Sequence, residues 1–167
     1  PVDIVVPEGT PEVKVAKIEN YGATVHYSEP SEAGRKAKVL EIQNGLGRVP
    51  IHSSHQVPVI EGQATLGIEI LEQLRDVGTI VLPTSGGGLL AGVAFAVKQL
   101  NPQVKIVGVE PETSNDTYLS LQSGEITPVI PNKSIAEGLL TTVGEINFEL
   151  IKQFVDEFVT VSEQEIA

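Results

Sequence analysis

Short runs of β-branched and aliphatic residues alternate along this chain with longer stretches in which apolar positions recur every three or four residues. The short runs predict strands at Asp3–Val6, Thr24–Tyr27, Arg48–Ile51, Thr79–Leu82, Lys105–Val109 and Phe158–Val161. The longer stretches predict helices at Glu12–Tyr21, Ser31–Asn44, Pro58–Leu74, Leu89–Leu100, Ser114–Ser123 and Phe148–Phe154, most with Gly, Asn or Pro close behind as a stop. Strands and helices that alternate in this way build an α/β fold, a mostly parallel sheet with helices on both faces. In the longest predicted helix Ile60, Leu66, Ile70, Leu71 and Leu74 recur at helical spacing. Gly62 and Gly67 each cost ~1 kcal/mol in a helix interior, so their presence points to close packing of backbone there.

No internal repeat, low-complexity tract or linker interrupts the pattern, and one compact unit is the simplest reading of 167 residues. Pro1 leads directly into a predicted strand, and no targeting segment is expected. At the other end Ser162-Glu163-Gln164-Glu165 has the form of a capping box and announces a helix that stops at Ala167. The ends therefore read as those of a fragment. With 11 basic against 22 acidic residues the net charge is −11, and a pI near 4.6 repels phosphate backbones and anionic lipid alike. Neither nucleic acid nor a membrane is an expected partner. Hydrophobic residues make up 41% of the chain, which argues against disorder, and no apolar run approaches the ~20 residues of a bilayer span. The absence of Cys removes disulfides, Cys-ligated zinc, iron–sulfur clusters and thiol nucleophiles. Nothing points to secretion, and the expected compartment is the cytoplasm.

The strongest chemical signal is Thr79-Ile80-Val81-Leu82-Pro83 leading through Thr84-Ser85-Gly86-Gly87-Gly88 into the apolar helix that begins at Leu89. Consecutive glycines let backbone amides turn inward without a Cβ in the way, and the following helix adds free N–H groups and the positive end of its dipole. Such a loop binds a phosphate. No Gly-Lys-Ser/Thr follows, so it is not a nucleoside-triphosphate loop of the Walker kind, and Lys98 lies far from the helix start. A plain turn between strand and helix is the alternative without chemistry. A second chemical reading is a dinucleotide fold: Gly86-x-Gly88-x-x-x-Gly92 approaches the dinucleotide fingerprint, and Glu110 ends the next strand, where an acid can bind a ribose hydroxyl. Its last glycine comes one residue late.

Taken in order, Val6-Pro7-Glu8-Gly9-Thr10-Pro11 with Lys14, Tyr21-Gly22-Ala23, Ile60-Glu61-Gly62-Gln63-Ala64-Thr65 with Glu69, the glycine loop, Gly108-Val109-Glu110-Pro111, Ser134-Ile135-Ala136-Glu137-Gly138 and Val159-Thr160-Val161-Ser162 resemble the pyridoxal-phosphate-dependent threonine/serine dehydratases and serine racemase. The resemblance runs the length of the chain. It implies a partial fold type II enzyme, mainly the large cofactor domain, with residues 1 to about 25 at the edge of the smaller one. Ser85, Gly86, Gly87, Gly88 and Leu89 would hold the phosphate of pyridoxal 5'-phosphate through backbone amides, with Gly138 on the substrate side. The family's Schiff-base lysine lies upstream of Pro1, and none of Lys14, Lys17, Lys36, Lys38, Lys98, Lys105, Lys133 and Lys152 sits in a sequence like its motif. No catalytic residue is therefore expected within the chain, which should not turn over alone. The implied reaction of the complete enzyme is β-elimination of water from a small hydroxy amino acid to a 2-oxo acid and ammonia, in a homodimer. Racemisation of the amino acid, a nicotinamide-dependent oxidoreductase, or a module that binds the cofactor without catalysis are the alternatives.

The turn Glu110-Pro111-Glu112-Thr113-Ser114-Asn115-Asp116 sets two carboxylates and a backbone carbonyl within reach of a hard cation. By resemblance Glu110 and Asp116 match the carboxylates that hold Mg²⁺ or Ca²⁺ in some members, and Ser114 the carbonyl donor. The competing reading is an acidic turn whose Ser114 or Asn115 caps the next helix. Ser85 stands where the family's loop has its first glycine and adds a hydroxyl able to reach phosphate. Ala64 replaces a glycine, Glu137 an aspartate, and His52-Ser53-Ser54-His55-Gln56 a more acidic, aromatic stretch, departures that bear on substrate preference. His52 and His55 alone lack the further ligands of a zinc site.

Overall fold

The computed structural model describes residues 2–129 and 134–167. Its backbone forms two compact units, Pro1–Pro50 and Ile51–Ala167.

In the first unit β1 (Asp3–Pro7) pairs in parallel with β2 (Thr24–Ser28), Asp3 opposite Thr24 and Pro7 opposite Ser28. The crossover between them is α1 (Glu12–Asn20), and α2 (Glu32–Leu46) follows β2. Val6, Val15 and Ile42 form the small core. Asp3 accepts hydrogen bonds from His26 Nε2 and Arg48 Nε, both at 2.7 Å, tying the two strands to the segment that leaves α2. These two donors, His26 foremost, hold its carboxyl below the usual aspartate range.

The strand expected at Arg48–Ile51 does not form. Gly47 ends α2 in the left-handed conformation (φ 63°), the Arg48 side chain turns back to Asp3, and Pro50 has no N–H to give a ladder. Val49 and Ile51, 84% and 78% exposed, bury no face that would reward pairing.

The second unit carries the larger core. Strands β3 (Thr79–Pro83), β4 (Lys105–Pro111) and β5 (Glu157–Val161) lie in that order, both pairings parallel, with Thr79 opposite Lys105 and Val107 opposite Glu157. Parallel strands need long crossovers. Here they are α4 (Gly88–Leu100) between β3 and β4, and α5 (Asp116–Ser123) with α6 (Glu145–Phe154) between β4 and β5. Helix α3 (Val57–Gln73) precedes β3, and α7 (Glu163–Ile166) follows β5 behind the expected capping box at Ser162 and Glu165.

Helix α4 has no polar residue before Lys98, and so wide an apolar surface is buried over most of the helix, Phe95 excepted. Leu90, Ala91, Val93, Ala94 and Val97 are accordingly sealed against α3, α6 and the sheet, alongside Ile80, Leu82, Ile106, Phe148 and Ile151. Lys98 is folded inward: Nζ donates to Val104 O and Asp156 Oδ1, both at 2.8 Å. Asp156 Oδ2 in turn accepts from Ile106 N at 2.7 Å. One ion pair thus pins the end of α4 to the starts of β4 and β5. Among the described residues no helix is long and apolar enough to cross a membrane.

Candidate functional site

The chain leaves β3 at Pro83 and enters α4 at Gly88 through Thr84, Ser85, Gly86 and Gly87. Gly87 is the N-cap, at φ 83°, where an L side chain is strained. A Cβ there would also fall 3.0 Å from Asn147 Cβ and Val143 Cγ2, because the loop rests directly on α6. On its other flank the loop is pressed against Ser54: a Cβ on Gly88 would lie 2.9 Å from the Ser54 carbonyl, and one on Gly86 would collide with the Ser54 hydroxyl. Only glycines fit between these two walls.

Gly86, Gly87 and Gly88 are buried, yet among the described residues no protein acceptor meets the N–H groups of Ser85 through Leu90. Those of Gly88 to Leu90 are the unsatisfied donors at the start of α4. An unpartnered buried amide costs roughly 1–3 kcal/mol, and a cluster of them with the positive end of a helix dipole is the donor set an anion satisfies. The residues therefore fit a phosphate group.

The hydroxyl of Ser85 is not part of that set. Its Oγ donates to Thr141 O at 3.2 Å and accepts from Thr141 N at 3.0 Å, so it clamps the loop to the segment before α6 instead of reaching a phosphate. Gly144 N reinforces the clamp by donating to Gly86 O at 3.2 Å. Gly138, three residues before Thr141, is exposed.

Asn147 is the residue that sequence reasoning missed. It lies in the first turn of α6, is fully buried, and its Nδ2 donates to Gly86 O at 2.5 Å and Ser54 O at 2.9 Å. The one available signal is an amide set between Ile146 and Phe148 in an otherwise apolar stripe. The same region absorbs the histidine pair. His52 Nδ1 accepts from the backbone N–H of Ser54 and His55, and the two rings stack at 4.1 Å, so the pair shapes the turn that presents Ser54 to the loop.

The acidic turn is drawn inward. Glu110 at the end of β4, Ser114 in a 3₁₀ turn (Glu112–Ser114) and Asp116 at the start of α5 are all buried. Glu110 caps α5 from the preceding strand: its carboxylate accepts from Thr117 N at 3.3 Å and Tyr118 N at 3.1 Å. Asp116 Oδ2 accepts from Val143 N at 2.8 Å. Asn115 occupies the N-cap position of α5 without a side-chain capping bond. Burial pushes the Glu110 carboxyl up to about 7, against those hydrogen bonds and with help from the nearby Asp116 charge. Burial raises Asp116 as well. Two buried carboxylates and a carbonyl donor are hard-cation chemistry. Among the described residues, however, no group of three or more His, Cys, Asp or Glu gathers around a common point. Glu110, enclosed on α5, is not available to a ribose hydroxyl, which removes the support for a dinucleotide site. Lys133 lies outside the described residues.

The family described as "Pyridoxal-phosphate dependent enzyme" matches residues 1–167, and the chain belongs to it. It is 38% identical over 167 residues to the serine racemase of Rattus norvegicus, spanning 99% of this chain and 50% of that protein. It is 40% identical over 173 residues to the L-threonine ammonia-lyase of Thermotoga maritima, spanning 100% of this chain and 42% of that protein. The solved structure of maize serine racemase superposes with a TM-score of 0.96 at 34% identity, over 99% of this chain and 50% of that one. The fold is thus that of the fold type II pyridoxal-phosphate enzymes, and the chain spans about half the length of the curated relatives it matches.

Proposed function

We propose that the chain supplies the phosphate-binding wall of a pyridoxal-phosphate enzyme acting on a small hydroxy amino acid, with elimination of water and ammonia as its first reading. The observation that carries the proposal is the row of unpartnered amides from Ser85 to Leu90, on buried glycines at the head of α4. When bound, the cofactor supplies an electron sink at the amino acid's α-carbon. The residues of this chain bind and orient: Ser85 through Leu89 present N–H groups to the phosphate, the Ser85 hydroxyl holds the loop to Thr141, and Gly138 leaves backbone free on the substrate side. Racemisation is the second reading, favoured by the serine racemase likeness at an identity similar to that of the ammonia-lyase. Removal of the α-proton is common to both.

The cation reading belongs to the same proposal. Glu110 and Asp116, with the Ser114 carbonyl, would take Mg²⁺ or Ca²⁺, and the burial of two carboxylates with no basic partner among the described residues supports it.

Pyridoxal 5'-phosphate titrated into the chain, followed by borohydride reduction and peptide mass mapping, tests the site. Saturable binding displaced by inorganic phosphate, with no covalent adduct, is expected. A single pyridoxyl-lysine at stoichiometric cofactor overturns the view that the chain lacks the Schiff-base residue, and no binding overturns the phosphate wall. Assay of the complete enzyme on L-serine and L-threonine for 2-oxo acid, ammonia and D-amino acid separates the two reactions.

A further inference from the structure

The peptide unit joining Gly86 to Gly87 carries no side chain on either flank. With glycine on both sides it can rotate at little steric cost, since glycine populates positive and negative φ almost equally. Its orientation matters: one face offers an N–H to an anion, the other a carbonyl oxygen that would repel it. Something other than local sterics has to choose.

In a trans peptide the C=O and the following N–H point in opposite directions, and there are no cis bonds among the described residues. The Gly86 carbonyl is held on α6 by two donors, Asn147 Nδ2 at 2.5 Å and Gly144 N at 3.2 Å. The Gly87 N–H, at the other end of the same plane, therefore points away from α6 and joins the amides that no protein acceptor meets. The second proton of the same Asn147 amide group goes to the Ser54 carbonyl, on the opposite wall of the loop. One fully buried side chain thus spaces both walls and sets the plane between them. Its Oδ1 is buried without a hydrogen-bond partner. Packing alone would not favour that arrangement over an apolar residue of similar shape.

Resting on the phosphate reading above, we infer that Asn147 is a positioning residue for the cofactor phosphate: by holding the Gly86 carbonyl on α6 it aims the Gly87 N–H at the anion. Without it the Gly86 carbonyl keeps only the bond from Gly144 N at 3.2 Å, and the Gly86–Gly87 plane is held less firmly with its N–H toward the anion.

The test is a titration of the chain with inorganic phosphate followed by ¹H–¹⁵N NMR, on the unsubstituted protein, N147L and N147S. In the unsubstituted chain the Gly87 amide proton should move saturably with phosphate. In N147L the affinity should fall at least tenfold and the Gly87 response should vanish, while the thermal unfolding profile keeps the shape of the unsubstituted chain's. N147S, which keeps one donor, should recover part of both. N147L that binds phosphate with undiminished affinity and an intact Gly87 response overturns the inference and leaves the phosphate wall standing. Weaker binding with the Gly87 response intact assigns Asn147 to general stability and overturns it too. No binding by the unsubstituted chain overturns the phosphate wall, and this inference with it. Should N147L not fold, the scalar coupling across the bond from Asn147 Nδ2 to the Gly86 carbonyl decides in the unsubstituted chain. It must persist with phosphate bound, and its loss overturns the inference.

Discussion

A carboxylate sealed inside a protein must find donors or keep its proton, and Glu110 does some of each. Its two backbone donors on α5 favour the charged form, but burial outweighs them and the group titrates at about 7 instead of its ordinary 4.5. Between those two values the folded chain binds more protons than the unfolded one, so the free energy of unfolding falls as pH rises through that window and levels off above it. The full effect is about 3 kcal/mol. Asp116, also raised by burial, acts in the same direction. Asp156, Glu163 and Glu165, all lowered by their hydrogen bonds, act the other way and only as pH falls into the ordinary carboxylate range. The urea midpoint should therefore be highest near pH 5 and decline toward pH 7.5, and Glu110→Gln should flatten that decline. An unchanged slope in the variant would place the titration on another group.

Among elements, the tightest contact is the crossing of α3 and α4, where both helices bring glycine to the seam. A Cβ on Gly92 would strike the Ile60 carbonyl and sit 2.8 Å from Ala64 N, and one on Gly67 would lie 3.1 Å from Val93 O. Backbone lies under both, so neither neighbour can swing aside. Gly62, in the same helix as Gly67, is exposed and has nothing within 4 Å. Gly92→Ala should thus destabilise by about 1–3 kcal/mol through overpacking, whereas Gly62→Ala should stabilise by up to about 1 kcal/mol through helix propensity. Urea unfolding of the two variants checks the opposite signs. From the sequence Gly62 and Gly67 are indistinguishable, since both merely weaken a helix, and only the packing partner separates them. The elements themselves were legible because periods of two and 3.6 are local properties of the chain. The false strand at Arg48–Ile51 has the right local pattern and lacks a neighbour to pair with. The same limit explains the site. A glycine loop between strand and helix declares its chemistry in consecutive residues, but the bond from Asn147 to Gly86 spans 61 positions and that from Lys98 to Asp156 spans 58. Residue type alone names neither partner.

At the scale of the whole chain, the candidate site is mounted on the part best able to hold a fixed geometry. Preorganised donors are worth most where the scaffold does not yield. In the second unit α4 begins at the loop itself and is buried along most of its length, with Leu90, Ala91, Val93, Ala94 and Val97 essentially inaccessible to solvent and only Phe95 and the last turn exposed. The first unit has 50 residues and a core of only Val6, Val15 and Ile42 among its described positions. A body of that size buries a modest fraction of its surface and opens at low free energy. Native-state hydrogen exchange should resolve the difference. The β1 amides of Val5 and Val6 and the β2 amides of His26 and Tyr27 should exchange through an opening of lower free energy and rising denaturant sensitivity. Those of Ile106 and Val107 in β4, and of the second and third turns of α4, should exchange only through global unfolding of their unit. If the strands of both units report one common free energy, the chain unfolds as a single cooperative body and the rigidity of the phosphate loop owes nothing to its position in the second unit. If they separate as expected, the amides at the head of α4 are fixed by a core that stays closed while the first unit opens.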